Sequence, residues 1–241
     1  MDSLVTIEWL SEQLTAGAND LVVLDCTVYL RMGDNGYVSE SGRENFEAGH
    51  VPGAGFADLN EDLVDTASPN RYAVPTPEHF GAAMERLGVS DDTRVVLYDD
   101  NGSMWAARVW FMLRWIGFDS AALLDGGLKA WKAAGHDLES NASTRTAATP
   151  GSLSLNPRPR MIADKDEVMA AIDDGATCLI DALPSAVFKG EVQAYARPGH
   201  IPGAINISAN SMIDRETGLF RPAEQIRAMM PDRPEARTVA Y

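Results

Sequence analysis

Gly49-His50-Val51-Pro52-Gly53-Ala54 returns 150 positions later as Gly199-His200-Ile201-Pro202-Gly203-Ala204. Upstream of each copy lies an apolar run that ends in aspartate, Leu21-Val22-Val23-Leu24-Asp25 and Cys178-Leu179-Ile180-Asp181. Downstream of each lies a run that ends in tyrosine, Val95-Val96-Leu97-Tyr98 and Thr238-Val239-Ala240-Tyr241. Matched stations in the same order imply two copies of one structural unit. The runs are apolar without alternation and are separated by helical patterns, which predicts parallel strands covered on both faces. The fold class expected is therefore α/β, with two related units, each a central parallel sheet flanked by helices.

Helix signals fill the gaps between these runs. Residues 6–17 carry a helical pattern with Thr6 as a possible cap. Thr76-Pro77-Glu78 opens a helix that closes at Leu87-Gly88. Asp164 and Glu167 stand at capping-box spacing ahead of Val168, Met169 and Ile172, which share one face. Residues 139–160 are rich in Ser, Thr, Ala and Pro and read as a linker between a unit at 1–138 and another at 161–241.

After Tyr98 the first copy continues through a helix from Met104 to Trp115, a strand from Ala121 to Asp125, and Gly126-Gly127-Leu128-Lys129-Ala130-Trp131. The second copy has no counterpart after Tyr241. The expectation is that the second unit is C-terminally incomplete, that the run ending at Tyr241 should be an interior strand, and that an apolar face of this unit is uncovered.

Composition narrows the partners. The 241 residues are 45% hydrophobic and 23% charged, the balance of a packed globular chain. Lys and Arg number 20 against 35 Asp and Glu, a formal net charge of −15 that argues against nucleic acid or anionic lipid as a partner. No run of 18 apolar residues occurs, so no membrane span is expected, and the N-terminus does not read as a secretory leader. Cys26 and Cys178 are the only cysteines, too few for a disulfide framework or a zinc site, and a cytoplasmic setting is expected.

The aspartate-ended strands, the Gly-His-x-Pro-Gly-Ala turns, Asp125-Gly126-Gly127-Leu128-x-x-Trp131 and the stretch Gly102-Ser103-Met104-Trp105-Ala106-Ala107-Arg108-Val109-Trp110 together resemble the tandem rhodanese sulfurtransferases. That resemblance spans nearly the whole chain. It implies a cysteine thiolate that takes sulfane sulfur from a small anionic donor, thiosulfate or 3-mercaptopyruvate. The persulfide then passes the sulfur to cyanide or a thiol acceptor, without cofactor or metal. It implies that the nucleophilic cysteine stands immediately after Tyr241, where this sequence has no residue, so that the segment itself should be inactive. The equivalent position of the first copy is Asp99, which cannot carry sulfane sulfur. A non-catalytic tandem binding module is the alternative. A phosphatase-like enzyme is a third reading that loop length would separate.

Site residues follow from the same resemblance. Arg197 is the candidate to hold an anionic substrate, with Lys189 as a substitute for an arginine expected near Val187. Asp58 matches a site aspartate, and Met104 and Trp105 match residues that face the cleft. Tyr72 departs from the pattern, standing where the mercaptopyruvate branch has histidine. Cys26 and Cys178, within or beside apolar strands, read as buried packing residues. His50 and His200 are expected to tie the Pro-Gly turns through a ring hydrogen bond, and Asp25 and Asp181 to bond backbone.

Overall fold

The computed structural model describes residues 1–33, 36–140, 150–195, 197–232 and 236–241. It divides into two compact units, the first holding Met1–Arg31, Ser39–Pro159 and Thr217–Leu219, the second Met32–Val38, Arg160–Glu216 and Phe220–Tyr241.

In the first unit the strands are β1 (Leu4–Val5), β2 (Leu21–Asp25), β5 (Gly55–Phe56), β6 (Arg94–Tyr98) and β7 (Ala121–Leu124). They form one sheet in the order β1-β7-β6-β2-β5, and every pairing is parallel. Two further strands, β3 (Val28–Gly33) and β4 (Gly36–Ser41), pair with each other, and their Met32–Val38 portion is counted with the second unit. The helices are α1 (Ile7–Thr15), α2 (Arg43–Ala48), α3 (Pro77–Arg86), α4 (Met104–Trp115) and α5 (Gly127–Ala133).

The signals that start these helices act as expected. Thr6 Oγ1 accepts the Trp9 N–H at 3.2 Å, and Thr76 Oγ1 accepts that of His79 at 3.2 Å with Pro77 just inside the helix. One face of the sheet offers Leu21, Val23, Val96, Tyr98, Ala122 and Leu124 to Ile7 and Leu10 of α1 and to Leu128 and Trp131 of α5, all buried. Central placement, with a strand on each side and helices on both faces, leaves Val95, Val96, Leu97 and Tyr98 with no exposed surface.

Gly127 shows why the Asp125-Gly126-Gly127 stretch takes its form. Its φ is +57°, and a Cβ there would stand 2.3 Å from the Asp99 carbonyl oxygen. With hydrogen in that place, the Leu128 N–H reaches the same carbonyl at 3.1 Å and seats α5 against the end of β6.

Of the stretch 139–160 expected to be a linker, residues 141–149 lie outside the described residues. Residues 151–158 run along the first unit instead of standing free. Gly151 N–H donates to Glu85 O at 2.8 Å, Asn156 N–H to Ile116 O at 2.8 Å, and Arg158 grips Asp119 with two hydrogen bonds of 2.8 and 2.6 Å. The polar side chains that make this stretch look solvated find their partners on that surface.

The second unit contains α6 (Lys165–Asp174), β8 (Thr177–Asp181), α7 (Ser185–Phe188), β9 (Ile205–Asn206), α8 (Ala223–Met229) and β10 (Arg237–Ala240). Its sheet has the order β10-β8-β9, again all parallel. The capping box forms, with Glu167 N–H to Asp164 Oδ1 at 2.8 Å and Asp164 N–H to Glu167 Oε2 at 3.0 Å. In this chain β10 is an edge strand, paired with β8 alone among the described residues. Val168, Met169 and Ile172 share one face of α6 as expected, lining a common cavity, although Met169 is 56% exposed and the core beneath α6 is small, built from Ala171, Leu179 and Ala204.

Candidate functional site

Chemistry in a parallel α/β sheet gathers where strands end and helices begin. In the first unit that place is the loop from β6 into α4. Asp99 follows Tyr98 directly and is buried at 2% exposure. Its Oδ1 accepts the backbone N–H groups of Asn101 and Ser103, both at 2.8 Å, and its Oδ2 those of Trp105 and Ala106, both at 2.9 Å. Burial raises the pKa of this carboxyl, and the four N–H donors oppose that rise. Ser103 turns the chain at φ +62° so that the first turn of α4 points its N–H groups inward. The loop is thus a nest that holds one anionic group at the head of a helix.

The first unit places its other expected site residues as follows. Asp58 is buried, accepts the Asn60 N–H at 2.9 Å and pairs with Arg43 at 3.2 Å. Trp105 is buried with its ring 4.7 Å from that of Tyr72, while Met104 is 42% exposed. Cys26 is fully buried, and burial, then the charges of Asp25 and Asp99, push its thiol well above its ordinary pKa. Asp25 bonds backbone as expected, accepting the Thr27 N–H at 2.8 Å. His50 requires a correction. Its Nδ1 meets the Phe46 carbonyl at 2.7 Å rather than the Pro-Gly turn, and its ring stacks on Phe46 at 3.9 Å. The turn is tied by others: Tyr98 Oη accepts the Val51 N–H at 3.2 Å and Glu139 Oε2 that of Gly53 at 2.7 Å. The sequence pattern missed α2, so the carbonyl one helical turn before His50 went unseen.

In the second unit a cavity of about 740 Å³ opens at the C-terminal end of β8. Val168, Met169 and Ile172 of α6 form one wall, Tyr195 and the residues from Arg197 to Pro202 another, and Asp181 and Tyr241 the floor between them. Arg197 and Lys165 line it and supply positive charge. Burial raises the hydroxyl pKa of both Tyr195 and Tyr241. Lys189, exposed at the end of α7, is not among the residues that line this cavity. Cys178 sits inside β8 and packs with Ile180 and Ile207, away from any loop that enters a helix.

Bonds of the first unit recur around this cavity. Tyr241 Oη accepts the Ile201 N–H at 2.9 Å, as Tyr98 does for Val51. His200 Nδ1 meets Phe188 O at 2.8 Å, and its ring stacks on Phe188 at 3.7 Å. Asp181 Oδ1 accepts the Leu183 N–H at 2.8 Å.

Comparison with known proteins follows the same lines. The rhodanese-like domain family matches residues 6–134. A Pseudomonas aeruginosa protein named "Probable 3-mercaptopyruvate sulfurtransferase" is 36% identical over 247 residues, across 99% of this chain and 83% of its own length. The 3-mercaptopyruvate sulfurtransferase of Homo sapiens is 32% identical over 238 residues, across 96% of this chain and 77% of its own length. The crystal structure of SseA from Escherichia coli, a 3-mercaptopyruvate sulfotransferase, superimposes with a TM-score of 0.84 at 27% identity, covering 100% of this chain and 88% of that one.

Proposed function

The chain belongs to the rhodanese-like domain family, and on that footing we propose that it is a sulfurtransferase working through a cysteine persulfide. The donor is a small sulfur-bearing anion, 3-mercaptopyruvate in the first place and thiosulfate in the second, and the acceptor a thiol or cyanide. The observation that carries this reading is the nest around Asp99. Four N–H groups converging on one anionic atom group, at a strand end that opens into a helix, is the environment that stabilises a thiolate or a persulfide anion.

In the first unit that nest is filled by a carboxylate, whose carbon-bound oxygens accept no sulfur, so this unit is read as non-catalytic. The recurrence of the tyrosine, histidine and aspartate bonds around Tyr241 supports a second unit of the same kind. The nucleophile then belongs at the position after Tyr241, the counterpart of Asp99. Cys26 and Cys178 have no chemical part in this reading, and two buried, unpaired thiols suit a reducing cytoplasmic setting.

The reaction balances in two steps. The thiolate attacks the outer sulfur of the donor, the donor's bond to that sulfur breaks, and pyruvate (after protonation of its enolate) or sulfite leaves. The acceptor thiolate or cyanide then attacks the outer sulfur of the persulfide and restores the cysteine thiolate. Arg197, beside the cavity floor, is the group best suited to bind the donor's carboxylate or sulfonate.

Mass spectrometry of the protein from its natural gene tests this. Exposure to 3-mercaptopyruvate should add about 32 Da, one sulfur atom, removable by cyanide. A peptide map should place that sulfur on the cysteine that follows Tyr241. An adduct on Cys178 or Cys26 would overturn the placement. No adduct with either donor would favour the binding-module reading, for which Asp99 is already a precedent.

A further inference from the structure

Asn101 and Gly102 lie in the loop that builds the Asp99 nest, and both are exposed, whereas Asp99 and Ser103 are buried. The loop needs glycine at 102, because φ there is +74°, in the left-handed region. That requirement brings a reactive pair with it. Where glycine follows asparagine, no Cβ shields the glycine nitrogen from the carbon of the side-chain amide. Reach is guaranteed by the covalent chain. Asn101 Cγ and Gly102 N close a five-membered ring, and rotations about Asn101 Cα–Cβ and Cα–C alone bring them together.

The hydrogen bonds of the loop leave the attacking nitrogen unused. The Asp100 N–H donates to Thr27 Oγ1 at 3.1 Å, and those of Asn101 and Ser103 donate to Asp99 Oδ1, both at 2.8 Å. Between them the Gly102 N–H donates to no acceptor among the described residues. The Asn101 carboxamide is held only by a long contact, from Nδ2 to the Val28 carbonyl at 3.4 Å. Exposure admits the hydroxide and water that the reaction consumes.

We propose that Asn101 is a self-modification site, at which the chain converts its own asparagine to isoaspartate and aspartate and so loosens the Asp99 nest. The Gly102 nitrogen loses its proton to hydroxide and attacks Asn101 Cγ. The bond from Cγ to the amide nitrogen breaks, that nitrogen takes a proton from water, and ammonia leaves a succinimide behind. Water then adds to either ring carbonyl. Opening at the side-chain carbonyl gives aspartate, and opening at the main-chain carbonyl gives isoaspartate, whose main chain runs through Cβ and Cγ. Isoaspartate puts one extra carbon into the chain ahead of Ser103, Trp105 and Ala106, which supply three of the four donors to Asp99. Either product sets a new carboxylate beside Asp99 and Asp100, and like charges oppose one another there. The site stands whether or not the sulfur chemistry proposed above is correct.

Trypsin releases residues 95–108 as one peptide, in which Asn101 is the only side-chain amide. The other Asn-Gly pair, Asn35-Gly36, falls in a different peptide, and Asn35 lies outside the described residues. After days in warm alkaline buffer the 95–108 peptide should gain about 1 Da, an amide NH2 exchanged for OH, and should accept methyl groups from an isoaspartyl methyltransferase. A synthetic 95–108 peptide gives the rate of the unconstrained chain, and the folded protein should come within about tenfold of it. Asn101→Gln, which needs a larger ring, should stay unmodified, and a gain there would place the reaction on another residue and overturn the site. In modified protein separated by ion exchange, amides from Ser103 to Ala106 should exchange at least about tenfold faster, with β6 unchanged. An Asn101 that survives while the synthetic peptide converts fully also overturns the site. Isoaspartate there with unaltered exchange from Ser103 to Ala106 overturns its effect on the nest.

Discussion

Tyr98 holds Val51 across 47 positions of sequence, its buried hydroxyl accepting the Val51 backbone N–H at 3.2 Å. The bond joins the end of the central strand β6 to the Gly-His-Val-Pro-Gly-Ala turn, and it fixes where that turn sits over the sheet. Tyr241 does the same for Ile201, but at an edge strand and with 38% of the residue exposed.

Tyr98→Phe should therefore cost more than Tyr241→Phe. In the first case a wholly buried N–H loses its acceptor and no water can replace it, a penalty of about 1–3 kcal/mol. In the second the freed N–H can turn to solvent, and about 0.5 kcal/mol is expected. Urea unfolding of the two variants, read against the parent chain, checks the order. Equal losses would mean that the burial difference between the two turns has no energetic weight.

Much of this architecture is legible in the sequence, and the reasons are local. Thr6, Thr76 and Asp164 announce helices because a cap needs only its own next three residues. β2, β6 and β8 are legible because strands covered on both faces are apolar throughout. The short strands β1, β5 and β9, two residues each, carry no pattern of their own and exist only because a longer neighbour offers them an edge. The pairing of β3 with β4 also goes unread. At the site, Asp99 is legible as the residue that directly follows the tyrosine-ended run Val95-Val96-Leu97-Tyr98. The contact between the Trp105 and Tyr72 rings is not, since it joins residues 33 positions apart in sequence.

Asp99→Asn tests how far the nest depends on charge. The carboxylate accepts four N–H groups with two equivalent oxygens. An amide accepts with one oxygen and turns an NH2 towards the remaining pair of donors. About 2–5 kcal/mol of stability should be lost, with the damage centred on the start of α4. Thermal unfolding gives the size, and amide shifts of Asn101 to Ala106 give the place.

The acid side of the stability curve should carry the signature of Asp25. Burial raises its carboxyl to about 6, with opposing hydrogen bonds from Thr27. Its folded pKa lies above the unfolded value, so the folded state binds more protons between about pH 4 and pH 6. Stability is then greatest at the low end of that window and falls as pH rises through it, by about 3 kcal/mol from this group at most. Asp99 acts in the same direction. Carboxyls held low by a partner, such as Asp20 beside Arg94 and Asp119 beside Arg158, act in the opposite direction, and mainly below pH 4. Asp25→Asn keeps an oxygen for the Thr27 bonds and removes the proton. Its unfolding free energy should be flatter than the parent's between pH 4.5 and 6.5. Parallel curves for the two proteins would show that Asp25 titrates in the ordinary carboxylate range.

Backbone protection should differ between the two units. In β6, Val95 to Tyr98 are fully buried between β2 and β7, and their amides can exchange only through large openings. In β10, Arg237, Thr238 and Ala240 are exposed, and the strand is paired on one side. Beneath it the core is made of small groups, Ala171, Leu179 and Ala204 on one face and Cys178, Ile180 and Ile207 on the other. Burial of that size contributes far less than the fifteen-residue cluster on one face of the first unit's sheet. Hydrogen exchange of this chain should show β10 and β8 exchanging at least about 100-fold faster than β6 and β2, as a group, because they open together as a unit of low stability. Equal protection in both sheets would mean that something other than the buried apolar surface seen here holds β10 in place.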